Sequence, residues 1–451
     1  VATTIFTEKW KLFLTCKSAQ MGAIDTSEDT IILGGGLAGL SVSYYLNGNC
    51  PVLEANPEPG GLCRSFNKDG FVYDIGGHIL FSRNKEILNE IIGWLENNIQ
   101  QKYRINQIWY KNRYIKYPFE NGLFVLDKEE IYDCLITFLK RPDKKPKNLE
   151  EWCHFRFGDG IASKYLIPYN NKIWKRNLKD MSLHWVERIP NPPMEDIIRS
   201  AIGIETEGYT HQQNFFYPKK GGIQAMIQSL TKYVKKIING FRVRQVRRIG
   251  NEWQISDGSQ TFSCNRIIST IPIFDLINSL EKVPAKVKES LGKLQYNSLI
   301  LVMIGVKHEG LLKRTALYIP DPSILPHRVC FMKYFSEFNA PEGYSHLVAE
   351  TTVRPNDPLL QTGDDSLIAQ VVSDLKELCD FNENEIAATD VKRIKYAYVV
   401  YDLGYLENIK VIYDYFDSIG IYYTGRFGSF KYINMDTCVE MSKKLVQSFV
   451  P

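Results

Sequence analysis

A chain of 451 residues, 44% hydrophobic and 24% charged, is long enough for two or three domains around a large buried core. Its 55 basic and 51 acidic residues leave a net charge of only +4, which excludes a broad basic field and any bulk argument for nucleic acid or a membrane surface. Nine scattered cysteines without a Cys-x-x-Cys pair argue against a disulfide framework or a zinc site, so no metal and a reducing, cytoplasmic setting are expected.

Residues 1–28 read as a leader of uncertain structure. The Leu12-Phe13-Leu14 patch is too short for a signal peptide, and Glu8, Lys9 and Lys11 around it are too charged. No apolar run approaches the roughly 18 residues of a membrane-spanning helix.

Thr30-Ile31-Ile32-Leu33 then reads as a buried strand, residues 37–46 as a helix, and Cys50-Pro51-Val52-Leu53-Glu54 as a second, parallel strand. Between strand and helix, Gly34-Gly35-Gly36-Leu37-Ala38-Gly39 satisfies G-x-G-x-x-G, in which Gly34, Gly36 and Gly39 allow a tight turn, close approach to a pyrophosphate and helix-on-strand packing. Glu54, twenty residues after Gly34, can accept hydrogen bonds from both ribose hydroxyls. Strand, turn, helix and acid together point to a dinucleotide.

Farther along, Ile131, Cys134, Leu135, Phe138 and Leu139 have helical spacing, and the stretch to about 200 lacks strand patterns. Ile223, Met226, Ile227, Leu230 and Val234 mark another helix, followed by a β-rich piece with strands expected at 241–243, 253–255 and 267–272. Alternation at 298–306, 328–335 and 345–353 suggests an antiparallel sheet, before Ile421-Tyr422-Tyr423 and a last helix.

FAD rather than NAD is indicated by two further glycine-rich loops, Pro59-Gly60-Gly61-Leu62-Cys63-Arg64 and Tyr73-Asp74-Ile75-Gly76-Gly77-His78. They resemble the loops that pass the pyrophosphate and the isoalloxazine ring in the FAD-dependent amine oxidase and protoporphyrinogen oxidase superfamily. The expected fold is therefore α/β, with a discontinuous Rossmann-like FAD-binding domain (29–98, 210–275 and 396–451). A helical insertion (125–209) and an antiparallel-sheet substrate domain (99–124 and 276–395) complete it.

Within that superfamily, four segments resemble the UDP-galactopyranose mutase family, especially its eukaryotic form. They are Gly76 to Ser82, Tyr117-Pro118-Phe119-Glu120-Asn121, Pro168-Tyr169-Asn170-Asn171-Lys172-Ile173-Trp174, and Gly425-Arg426-Phe427-Gly428 onward to Tyr432. Tyr318 and Arg328, ten apart across an expected hairpin, match that family's phosphate-binding pair. The resemblance implies a substrate site of Tyr117, Phe119, Tyr169, Asn170, Trp174, Tyr318, Arg328, Tyr398, Arg426, Tyr432 and Asn434. It implies cofactor contacts at Gly61, Leu62, Arg64, Gly76, Gly77, His78, Val243, Arg426, Asn434, Met435 and Asp436, with His78, Arg328 and Arg426 in catalytic roles. Arg188 resembles an arginine near the flavin.

The implied activity is interconversion of the pyranose and furanose forms of a nucleoside diphosphate sugar such as UDP-galactose, with reduced flavin N5 as nucleophile and no net redox. The implied partners are that sugar nucleotide and a reductant such as NAD(P)H; a homo-oligomer is left open. Glu120, where the eukaryotic mutases carry glutamine, and Tyr398-Val399-Val400-Tyr401, in place of a proline-bearing turn, leave base and sugar open. An FAD-dependent oxidase or desaturase is the alternative, and a flavin-binding partner without catalysis is a third reading.

Overall fold

The computed structural model describes residues 29–207 and 213–449. The leader and the first residues of the 210–275 segment lie outside the described residues, as does the side chain of Arg188.

Thr30–Leu33 is fully buried because it runs through the middle of a five-stranded sheet covered on both faces. Val52–Leu53 and then Ile237–Ile238 lie to one side of it, Arg266–Ser269 and then Ile421–Tyr423 to the other, every pair parallel. The sheet draws on five separated stretches, so it is complete only when the chain returns after residue 420. The helix Leu37–Tyr45 packs against the C-terminal helix Met435–Gln447, and Ser442 Oγ donates to the Ala38 carbonyl at 3.2 Å.

A second sheet has seven strands in the order Ile386–Val399, Tyr296–Val306, Ser345–Val353, Arg328–Phe331, Ala316–Tyr318, Asn106–Tyr110 and Arg113–Lys116. The stretches expected to form an antiparallel sheet pair antiparallel as Tyr296–Val306, Ser345–Val353 and Arg328–Phe331, and one junction elsewhere in the sheet is parallel. Ala316–Tyr318 pairs in parallel with Asn106–Tyr110, a neighbour that arrives from two hundred residues upstream and is not bound by hairpin geometry. Ile99–Tyr103, expected in this sheet, instead forms a separate ribbon with Asn214–Pro218. The expected strand 328–335 ends at Phe331 opposite Leu347, where only Ser345 and His346 of its partner remain, and turns into the helix Met332–Phe335. Phe241–Val243 form no strand; Phe241 N donates to the Glu54 carbonyl at 2.8 Å, drawing this segment over the end of the parallel sheet.

The helices Lys128–Leu139, Leu149–Ile161, Ile167–Trp174 and Met194–Ala201 pack around Phe119, Phe138, Phe157 and Trp174 in one core. A five-residue π turn, Ala162–Leu166, interrupts them and brings Tyr165 and Leu166 to the main cavity. Such wide turns recur at functional sites. Among the described residues no helix is long and apolar enough to cross a membrane, and no cluster of metal-ligating side chains is found.

Candidate active site

One cavity of about 1460 Å3 runs from the ends of the parallel sheet to the seven-stranded sheet and the π turn. Ligand pockets typically hold about 300–1,000 Å3, so this one has room for a cofactor and a substrate.

The cofactor end is built from the glycine turn. Gly34 has φ +101, and a Cβ on Gly39 would lie 1.9 Å from the Gly34 carbonyl oxygen, so the helix can sit this close to the strand only with glycine there. Gly39 lies beneath the turn and does not line the cavity. Gly34, Gly36, Gly61, Leu62, Arg64, Gly77, His78 and Val243 do, whereas Gly76 is a buried neighbour of Arg328 and Glu350. Glu54 is 5% exposed; its Oε2 accepts from Gly35 N at 2.7 Å and its Oε1 from Asn56 N at 2.8 Å. The Asn56 amide also donates to Oε1, at 2.5 Å, so of the carboxylate's about four acceptor sites one remains, on Oε2, for a hydroxyl.

Two helices begin on this cavity without a side-chain cap. The first starts at Gly36 with no acid in its first turn, and the second at Asn434, beside Met435 and Asp436. Their N-termini favour anionic groups. Asp436 Oδ2 is taken by the Ser82 hydroxyl at 2.7 Å, which lessens its opposing charge. Among the described residues His78 Nδ1 is buried with no hydrogen-bond partner, and burial, then Arg426 and Arg328, pull its pKa down to about 3. This neutral imidazole, the glycine turn, Glu54 and the paired helix ends fit a flavin dinucleotide.

At the other end stand Arg328, Arg426 and several phenols. Arg328 and Tyr318 are direct partners across the hairpin. Arg328 Nε and Nη2 donate to Glu350 Oε1 and Oε2 at 2.7 and 2.6 Å, and Glu350 is completely buried. Burial opposes the arginine's charge, but Glu350 outweighs it and drives the pKa upward. Among the described residues this leaves Nη1 as the unengaged edge of Arg328. Arg426 donates through Nε and Nη2 to the Ile433 carbonyl at 3.0 and 2.6 Å, with its face 4.6 Å from the Tyr432 ring. Both guanidiniums are thus fixed before a ligand arrives, Arg426 also through Nη1 to the Ala397 carbonyl at 3.5 Å, while Arg328 keeps its Nη1 protons and the second proton of Nη2.

Tyr398 and Tyr432 stack at 5.8 Å, Tyr117 and Tyr318 at 4.8 Å, and Tyr169 meets Tyr318 edge-on; all line the cavity, with Asn170. Burial first, then neighbouring phenols and Glu350 against Arg328, hold the Tyr169 hydroxyl protonated as a donor. Phe119 and Trp174 do not reach the cavity. Phe119 is fully buried against Tyr110 and Tyr165, and Trp174 packs edge-on to Trp185 while its Nε1 donates to Asn170 Oδ1 at 3.1 Å. Large side chains at core spacing are buried for their apolar area, and here that outweighs the expected ligand role.

Sequence reasoning missed Glu350, Arg104, Tyr165 and Trp185, all on the cavity wall. Glu350 had a signal: it is a lone carboxylate in a strand, Ser345–Val353, whose nine residues are all buried. Arg104, whose Nη2 donates to Tyr318 Oη at 3.3 Å, sits in a short turn that no pattern marks.

The chain matches the profile of the flavin containing amine oxidoreductases over residues 37–404. It is similar to a solved structure of reduced UDP-galactopyranose mutase, 26% identical, with a TM-score of 0.85 over 93% of this chain and 95% of that one. It is also similar to the coproporphyrinogen III oxidase of Bacillus subtilis, 24% identical over 94% of this chain and 98% of the oxidase. A wild-type putrescine oxidase bound to putrescine shares the fold, with a TM-score of 0.65 at 16% identity over 94% of this chain and 99% of that one. With the glycine turn and Glu54 built for a dinucleotide and the family profile spanning most of its length, the chain belongs to the flavin containing amine oxidoreductase family, an FAD-dependent enzyme of that mixed α/β fold.

Proposed function

We propose that the chain is a sugar-nucleotide mutase that interconverts pyranose and furanose forms of UDP-galactose or a close relative. The observation that carries this reading is the meeting of two pre-fixed arginines and stacked tyrosines beside the cofactor end of a single cavity. Arginines and phenols suit a diphosphate, since charge-assisted bonds to phosphate oxygens are strong and tyrosines donate without adding charge. Likeness to the mutase structure over nearly the whole chain supports it.

Reduced FAD, when bound, would supply a nucleophilic electron pair at N5 for chemistry at the anomeric carbon. Gly34, Gly36, Glu54, Gly61, Leu62, Arg64, Gly77 and Val243 would hold the cofactor, with the start of the C-terminal helix at Asn434 toward its ring. His78, neutral at physiological pH, would offer one ring nitrogen to the flavin or the sugar without competing for positive charge. Arg328 and Arg426 would orient the diphosphate and stabilise it as it leaves; Tyr318, Tyr398 and Tyr432 would donate to the same oxygens, with Tyr117, Tyr169 and Asn170 around the nucleoside. The organisation into an FAD-binding part, a helical insertion and a sheet part that bears the substrate follows the same reading, as does a cytoplasmic setting.

The similarity to coproporphyrinogen III oxidase favours a second reading, oxidation of a tetrapyrrole by oxidised flavin. A binding screen of nucleoside diphosphate sugars and porphyrinogens against the reduced holoprotein distinguishes the two. Binding of a sugar nucleotide supports the mutase, and exclusive binding of the tetrapyrrole removes it.

A further inference from the structure

Behind the glycine-bearing segments at the cofactor end lies a buried carboxyl that does not line the cavity, that of Asp74. Asp74 ends the strand Phe71–Asp74, directly before Ile75-Gly76-Gly77-His78, and is completely buried. Its Oδ1 accepts from the Ser65 hydroxyl at 2.6 Å and from Ile223 N at 3.1 Å, and its Oδ2 accepts from the Tyr217 hydroxyl at 2.7 Å. No cation pairs with it among the described residues.

Ser65, directly opposite Asp74 in the strand pair, carries the connection onward. Its hydroxyl accepts from Gln224 N at 3.0 Å, and its own N–H donates to Gln224 Oε1 at 3.3 Å. Gln224 Nε2 then donates to the Pro59 carbonyl at 2.9 Å, and Gly60 N donates to the Gly35 carbonyl at 2.9 Å. The dinucleotide turn, the loop 59–64 and the segment before His78 are therefore one hydrogen-bonded unit. Space within it is tight, since a Cβ on Gly222 would lie 2.3 Å from Ser65 Oγ and 2.8 Å from Asp74 Oδ1.

The direction of these bonds is set by their donors. Gln224 N and Ile223 N can only donate, so the Ser65 hydroxyl proton points to Asp74, and three donors converge on one side chain. An acceptor-only carboxylate satisfies all three, whereas an amide would set its own N–H groups against one of them. The fold alone disfavours this charge. Burial raises the Asp74 pKa from 3.8 to about 6 against the pull of Ser65, Tyr217 and Ile223. Stability from this group is complete below the unfolded value and is lost as pH rises through the folded one, so at neutral pH the ionised carboxyl weighs against folding.

We propose that Asp74 is a positioning residue for the flavin: by gathering donors from three separate segments it fixes the loop 59–64 and the turn before His78 against the dinucleotide turn, and so sets cofactor affinity without touching the cofactor. Gly61, Leu62, Arg64, Gly77 and His78 on the cavity wall are then ordered before FAD enters, and binding does not have to order them.

The test is chemical denaturation of the full chain, prepared free of flavin and then titrated with FAD, for the wild type, Asp74→Asn and Gln224→Met. The flavin-free midpoint reads the fold, and the FAD concentration at which the midpoint begins to rise reads the dissociation constant. Asp74→Asn is expected to keep a flavin-free midpoint at or above that of the wild type while its FAD dissociation constant rises about tenfold. Gln224→Met keeps the side-chain length, loses the bonds to Pro59 and Ser65, and is expected to weaken FAD by a similar factor at an unchanged midpoint. An FAD dissociation constant within about threefold of the wild type in either variant overturns the proposal. So does a flavin-free midpoint that falls together with FAD affinity in both, because residues that only support the fold lower the two in step. If Asp74→Asn does not fold, the same two outcomes are read from Gln224→Met alone.

Discussion

Replacing Arg328 removes two things at once, and the structure separates them. Its Nε and Nη2 neutralise Glu350, which is completely buried, while Nη1, unengaged among the described residues, would meet the diphosphate on the proposed reading. Arg328→Met therefore leaves a buried carboxylate uncompensated, an effect of about 3–5 kcal/mol on stability. On the proposed reading it would also delete a charge-assisted hydrogen bond to the ligand worth about 1.5–3 kcal/mol, or about tenfold to about 150-fold in affinity. Glu350→Gln in the same chain removes the stranded charge and should restore most of the stability without the affinity. Chemical denaturation of the holoproteins and calorimetric titration with UDP-galactose read the two effects independently. If the double variant regains ligand affinity together with stability, Arg328 is a scaffold for Glu350 and the diphosphate site must be sought elsewhere.

The glycine turn gives a paired test. Gly39→Ala puts a Cβ 1.9 Å from the Gly34 carbonyl and should abolish flavin retention, whereas Gly93→Ala, with nothing within 4 Å, should leave the flavin in place and stabilise the chain by about 0.5–1 kcal/mol. Trp174→Phe should lower stability by about 1 kcal/mol through the lost bond to Asn170, with UDP-galactose affinity changed less than about threefold, because Trp174 is buried in the core and does not line the cavity. Burial holds the His346 pKa at about 4 while the unfolded imidazole titrates near 6.5. The unfolded state therefore binds the extra proton between these values, and stability falls as pH drops through that window and is unaffected above it. His346→Gln should be less sensitive to acid than the wild type by denaturant titration across that range.

What the sequence disclosed and what it hid follow from range. The dinucleotide turn was legible because strand, three glycines, helix and Glu54 act within 25 residues and each has one physical reason to be there. The hairpin pairing of Tyr318 with Arg328 was also local. The parallel junction between Ala316–Tyr318 and Asn106–Tyr110 was not, since nothing in either short strand encodes a partner two hundred residues away. Trp174 and Phe119 were assigned to the ligand from a motif, and only packing revealed that their apolar area is used in the core. The engagement of Arg328 by Glu350 and of Arg426 by the Ile433 carbonyl was likewise invisible, because a sequence shows which residues can pair and not which partner they have already taken.

The most direct test of the account is anaerobic incubation of the holoprotein with UDP-galactopyranose after dithionite reduction, followed by chromatography of the sugar nucleotide and the flavin spectrum. Interconversion of ring forms by the reduced protein alone, with the flavin still reduced at the end, is the expected result. A sugar nucleotide that emerges unchanged, while the oxidised protein dehydrogenates a porphyrinogen with flavin reduction, would contradict it.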